Sequence, residues 1–102
     1  MINNEYMTTQ EFERLAKNHV VEIMKEEHGI ELTSDELEFV WFAHTLGYKK
    51  CTLYAKKLGH FYPEVTYNKE KNELYVDIYF KLSNTHIDLT PPRDRPADYK
   101  KA

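Results

Sequence analysis

A single cysteine, Cys51, among 102 residues excludes an internal disulfide, and with it the stapled frameworks of small secreted domains. A chain without such a framework fits a reducing cytosol. Only three glycines are present, and none builds a Gly-rich phosphate loop; G-x-S-x-G and H-E-x-x-H are also missing. Of four prolines, three stand in "TPPRDRPADYKKA", so the body of the chain is nearly free of helix and ladder breakers. No apolar run approaches the roughly 20 residues that span a bilayer. The opening "MINNEYMTTQEFE" has neither a basic n-region nor an apolar h-region, so no signal peptide is expected.

What remains is a globular composition. Charged residues make up 30% and aromatics 14%, with eight Tyr, five Phe and one Trp, which argues against disorder. The length suits one domain. The net charge of −3 is unevenly spread: residues 1–40 hold ten acids and three bases, residues 41–102 seven acids and eleven bases. An acidic first half and a basic second half follow.

"MTTQEFERLAKNHVVEIMKEEHG" carries a helix start. Thr8 and Glu11 have capping-box spacing, and Met7 and Phe12 that of a hydrophobic staple. Phe12, Leu15, Ala16, His19, Val20 and Ile23 form an apolar stripe, in which His19 is expected to fill core space, and Gly29 suits the position past the last turn. These features predict a helix from Thr9 to His28. In "IELTSDE", Thr33 and Glu36 could cap a short helical turn, or the segment is a plain turn.

"LEFVWFAHTL" is apolar on both parities. That predicts a strand buried on both faces, with a buried helix as the alternative. "KKCTLYAKK" and "HFYPEVTY" alternate as strands, with Pro63 expected at a strand start or on an edge. In "ELYVDIYF", Leu74, Val76, Ile78 and Phe80 fall on one parity, Tyr75, Asp77 and Tyr79 on the other. "THIDLT" is a candidate short edge strand. The connections have hairpin lengths. The expected architecture is α+β: an N-terminal amphipathic helix packed on an antiparallel meander sheet of about four strands. Residues 1–89 form one domain, and 90–102 a flexible Pro-rich tail. Phe12, Leu15, Val20, Ile23, Leu74, Val76, Ile78 and Phe80 are expected to share the core.

"EFVWFAHTL", "YPEVTYN" and "ELYVDIYFKLSN" together resemble a family of small uncharacterised proteins of phages and prophages of Gram-positive bacteria. The matching residues are Val40 and Trp41, Tyr62 to Asn68, then Tyr75, Asp77 and Tyr79, and the resemblance spans roughly residues 10–84. It implies a phage-encoded protein acting in a bacterial cytoplasm, of a kind that often binds and inhibits host or defence proteins. It brings no catalytic residues.

Five constellations are candidates for function. A tyrosine face of Tyr54, Tyr62, Tyr75 and Tyr79, joined by Trp41, suits a protein interface; the plainer reading is cross-strand packing on a half-wet sheet. Lys49, Lys50, Lys56 and Lys57 beside aromatics could follow a single-stranded nucleic acid, but a solvated edge explains them as well. His44, His60, His86 and Cys51 match no metal spacing, so no metal or cofactor is expected. Cys51 with His44 is a conceivable nucleophile pair, but Cys51 shares the parity of Leu53 and Ala55, which predicts a buried, inert thiol. The acids Glu22, Glu26, Glu27, Glu31, Asp35, Glu36 and Glu38 could imitate a phosphate backbone, or simply solvate a helix. The leading expectation is a non-enzymatic interaction protein. Its sheet meets a protein partner or a second copy, the latter a homodimer with Trp41, Tyr75 and Tyr79 at its interface.

Overall fold

In the computed structural model, which describes residues 7–90, helix α1 (Thr9–His28) packs on a sheet of β1 (Glu38–Thr45), β2 (Tyr48–Tyr54), β3 (Phe61–Asn68) and β4 (Glu73–Phe80). The strands are antiparallel and lie side by side in chain order. Short 3-10 turns occupy Ser34–Glu36 and Lys56–Leu58. The Pro-rich tail lies, from residue 91 onward, outside the described residues.

α1 begins and ends where its caps place it. The Thr8 hydroxyl accepts from the Glu11 amide at 3.0 Å, and the Glu11 carboxylate accepts from the Thr8 amide at 3.0 Å. Gly29, at φ 67°, closes the helix by donating to Lys25 and Met24 carbonyls, a left-handed cap that a glycine adopts without strain. The buried line is Phe12, Ala16, Val20 and Met24, a run of four-residue steps. Leu15 and Ile23 lie half-buried on its flank, short of the core position expected for them. His19 is exposed, with Nδ1 3.5 Å from the Glu22 carboxylate, and does not fill the core. A helix resting on a flat sheet touches it along one narrow line, so the wider stripe is only partly used.

The helix meets Cys51 and Leu53 of β2, Ala55 just past its end, and Val65 and Tyr67 of β3, with Leu74, Val76 and Ile78 of β4 packed at the margin. Phe80 stays exposed at the end of β4 rather than joining them. Leu32, Leu37 and Leu58, from the connectors, complete the core. The Lys57 ammonium ties those connectors together, 3.1 Å from Glu36 and 3.3 Å from the Glu31 carbonyl.

β1 departs most from expectation. It is a strand, but it lies on the sheet edge and is not buried on both faces. A bulge between Phe39 and Trp41 explains its two-sided apolar pattern. Phe39 faces Leu53 and Phe42 faces Cys51, so both turn toward the helix; Phe42 packs 5.8 Å from Phe12 and Phe39 lies under the Lys17 ammonium. Trp41, opposite Thr52, turns to the other face, and Val40 is left exposed at the bulge. The β1–β2 hairpin closes through Leu46 and Gly47, both at positive φ, as a two-residue turn of right-handed strand twist requires.

Pro63 lies inside β3, opposite Ile78 of β4. The ladder to β2 stops at Glu64, so at Pro63 the strand is a local edge and the missing N–H leaves no gap. Residues 81–90 form no strand; after the Lys81 amide donates to the His60 carbonyl at 2.8 Å, the chain runs on exposed.

Phe12→Ala should cost about 3–5 kcal/mol in urea unfolding, because the ring is fully buried between α1 and β1. Leu15→Ala should cost clearly less, and equal losses would contradict the narrow stripe. Thr8→Ala should cost about 1 kcal/mol through loss of the cap.

Candidate functional site

The face of the sheet opposite α1 carries no covering element among the described residues. Alternation along the strands puts Trp41, Ala43, Thr45, Tyr48, Lys50, Thr52, Tyr54, Tyr62, Glu64, Thr66, Glu73, Tyr75, Asp77 and Tyr79 on it. The register arranges them in rows. One row crosses all four strands as Trp41, Thr52, Glu64 and Asp77; the next as Ala43, Lys50, Thr66 and Tyr75. Tyr62 and Tyr79 are direct partners on the other side of Glu64 and Asp77.

Four of the five aromatics expected to bind a partner are exposed on this surface. Trp41 is 51% exposed, Tyr62 43%, Tyr75 40% and Tyr79 53%. Trp41 and Tyr75 stand at opposite ends of their rows, with the small side chains of Ala43 and Thr66 between. Trp41, Ala43, Thr45, Tyr48 and Thr66 border a shallow hollow of about 200 Å³. Tyr54 shares the parity of Lys50 and Thr52 at the end of β2, but it is half-buried against the core and its hydroxyl donates to the Gly59 carbonyl at 3.1 Å, which ties it to the turn after β2.

The acids of this face could not be placed without the register. Glu64 and Asp77 are opposed partners on β3 and β4, and Glu73 follows two residues before Tyr75. Tyr75 donates a short hydrogen bond to Glu73, which raises its phenol above the ordinary 10.0; slight burial adds to this. Tyr79 is raised by the charge of Asp77, then by that of Glu64, to which it donates at 3.5 Å. Lys50 lies 3.9 Å from Glu64. The Lys81 ammonium, from the chain after β4, sits 5.7 Å over the Tyr62 ring.

The four lysines expected to follow a nucleic acid do not line one surface. Only Lys50 lies on the uncovered face. Lys49 points to the helix side, is 4% exposed, and has its Nζ 3.5 Å from His44 Nε2 and 6.0 Å from the Tyr67 ring. Lys57 is engaged with Glu36 and Glu31, and Lys56 belongs to the same 3-10 turn. Cys51 is fully buried, and burial pushes its thiol up to about 12, the opposite of what a nucleophile needs. His44 spends its ring nitrogen on Lys49. Among the described residues no three His, Cys, Asp or Glu side chains gather as a metal site, and no helix is long and apolar enough to cross a membrane.

Residues 13–89 match the family of unknown function DUF6275, and the chain belongs to that family. The match runs from the first turns of α1 past the end of β4, so it contains the whole uncovered face. No curated protein and no solved structure matches the chain.

Two measurements follow from this geometry. Absorbance titration should show Tyr75 and Tyr79 ionising above 10.0, and Glu73→Gln should return Tyr75 toward that value. A phenol raised in the folded state adds stability that is present below its unfolded pKa and lost as pH rises through the folded one. Lys49→Met keeps the buried stem and removes an ammonium whose one close polar partner among the described residues is an imidazole. It should raise unfolding stability by about 1 kcal/mol, and a loss of that size would mean the Lys49–His44 bond outweighs desolvation.

Proposed function

We propose that this chain is a small non-enzymatic interaction protein that binds another protein through the uncovered face of its sheet. The observation that carries this reading is the shared exposure of Trp41, Tyr62, Tyr75 and Tyr79 on the face α1 leaves bare. Tyrosine and tryptophan join a large apolar area to a polar tip and lose little rotamer freedom on binding, which is why they anchor interfaces. The face is flat and its hollow shallow, a shape suited to a macromolecular surface more than to an enclosed small substrate. A buried, protonated Cys51 supports a non-enzymatic role.

The phage setting rests on the resemblance of the strand motifs, and it gives the reading its specific form: a protein of the bacterial cytoplasm that occupies and inhibits a host or defence protein. A protein partner is favoured over single-stranded nucleic acid because the face sets Glu64, Glu73 and Asp77 against Lys50 and Lys81, and carboxylates repel phosphate.

The test is a comparison of baits in a bacterial lysate. The wild-type chain should retain a protein that a Tyr75→Ala, Tyr79→Ala variant loses, truncation of each true anchor costing about 2 kcal/mol or more. Sedimentation of the purified chain identifies a second copy as the partner if the mass doubles and the same substitutions reverse it. Tight oligonucleotide binding that falls steeply with salt would overturn the reading in favour of nucleic acid.

A further inference from the structure

Glu64 and Asp77 are direct cross-strand partners, and like charges so placed destabilise a sheet. Asp77 makes no hydrogen bond or ion pair with another described residue, and the nearest cation to Glu64 is Lys50 at 3.9 Å. An opposed pair of acids on an exposed face adds like-charge repulsion to the free protein.

The pair is framed by rings. Tyr62 and Tyr79 form the neighbouring partner pair on one side, and Tyr75 follows on the other, each offset along the strand by roughly 6–7 Å. Carboxylates beside tyrosine faces make an environment for a cation, since the ring quadrupole and the carboxylate charge attract the same group. The chain already uses both attractions on itself: Lys81 sits over Tyr62, and Lys50 leans to Glu64. The raised phenol of Tyr79, due first to Asp77 and then to Glu64, reports the same negative field.

We propose that this face recognises an arginine-bearing segment of its protein partner, with the guanidinium seated on the opposed Glu64 and Asp77 carboxylates and its plane against the flanking tyrosine rings. Arginine fits better than lysine because its planar fork reaches two carboxylates at once and stacks on a ring, whereas an ammonium is a strongly hydrated point charge. The assignment rests on the reading of this face as the binding surface, and names the chemistry that the partner brings to it.

The experiment uses the full chain and a short peptide alternating Arg and Gly, with Lys-for-Arg and Glu-for-Arg versions. The fluorescence of Trp41, the one tryptophan and a member of the Glu64–Asp77 row, reports binding. The arginine peptide should bind, the lysine peptide more weakly, and the glutamate peptide not at all. Asp77→Asn should weaken the arginine peptide by about tenfold, the loss of one charge-assisted bond. Its thermal midpoint should stay or rise, because the substitution relieves repulsion; a merely structural Asp77 would lower it. Glu26→Gln, on the exposed side of α1, should leave peptide binding unchanged. The proposal is overturned if the arginine peptide does not bind, if lysine and arginine peptides bind alike, or if Glu26→Gln weakens binding as much as Asp77→Asn. Should any of these occur while Tyr75 and Tyr79 still govern capture of a protein, the interaction face stands and the arginine assignment falls. An Asp77-dependent arginine peptide without such capture would mean the reverse.

Discussion

An α-helix with its side chains is about 10 Å wide, whereas four strands side by side extend roughly 15–19 Å. One helix laid on such a sheet can bury a central band of one face and nothing of the other. In this chain the band is the line Phe12, Ala16, Val20 and Met24 against Cys51, Leu53 and Val65. The margins are served by other means: Leu32, Leu37 and Leu58 are drawn from connectors, and Lys57 links those connectors across the surface. The opposite face, which no element among the described residues covers, is left to side chains that tolerate water on one end and packing on the other. Tyrosine meets that requirement, so its presence there follows from the architecture before any function is invoked.

The same limit shapes β1. It sits on the edge, where half of its backbone groups have no strand partner. Its bulge at Val40 divides an apolar run between two duties. Phe39 and Phe42 extend the core under α1, while Trp41 crosses to the bare face. Without the extra residue, Phe39 and Trp41 would share a parity, and the tryptophan would stand under the helix or the phenylalanine outside. A single bulge thus decides whether the uncovered face owns a tryptophan.

Much of this was legible in the amino-acid sequence, for identifiable reasons. Capping chemistry is local, so Thr8, Glu11 and Gly29 mark both ends of α1. Alternation with period two is local as well, so the parity of Leu74, Val76 and Ile78 against Tyr75 and Tyr79 survives in β4. What failed depends on long-range placement. The bulge left no mark on residue types, and an apolar run on both parities reads as two-sided burial. His19 has the spacing of the stripe but lies beyond the narrow line of helix–sheet contact. Lys49 and Lys50 are neighbours in sequence and face opposite sides of the sheet, which dissolves an apparent lysine cluster. "THIDLT" alternates like a strand, but no neighbouring strand accepts it. At the candidate site, Asp77 was visible beside the tyrosines, whereas its opposition to Glu64 required the register between β3 and β4.

That opposition separates two explanations of the bare face. If the tyrosines served only to cover a half-wet sheet, the residues between them should favour cross-strand attraction, such as Thr–Thr pairs or opposite charges, which stabilise by about 0.2–1 kcal/mol each. The diagonal pair of Lys50 and Glu64 fits that description. The row from Glu64 to Asp77 does not: two acids are direct cross-strand partners amid the exposed aromatics, with Lys50 3.9 Å from Glu64. Local conflict with the rules of sheet stability tends to concentrate where a surface has a use other than stability. The conflict here is electrostatic, it is framed by exposed rings, and a cation resolves it. The physical reason to look for a partner therefore lies less in the tyrosines themselves than in the two acids that they surround.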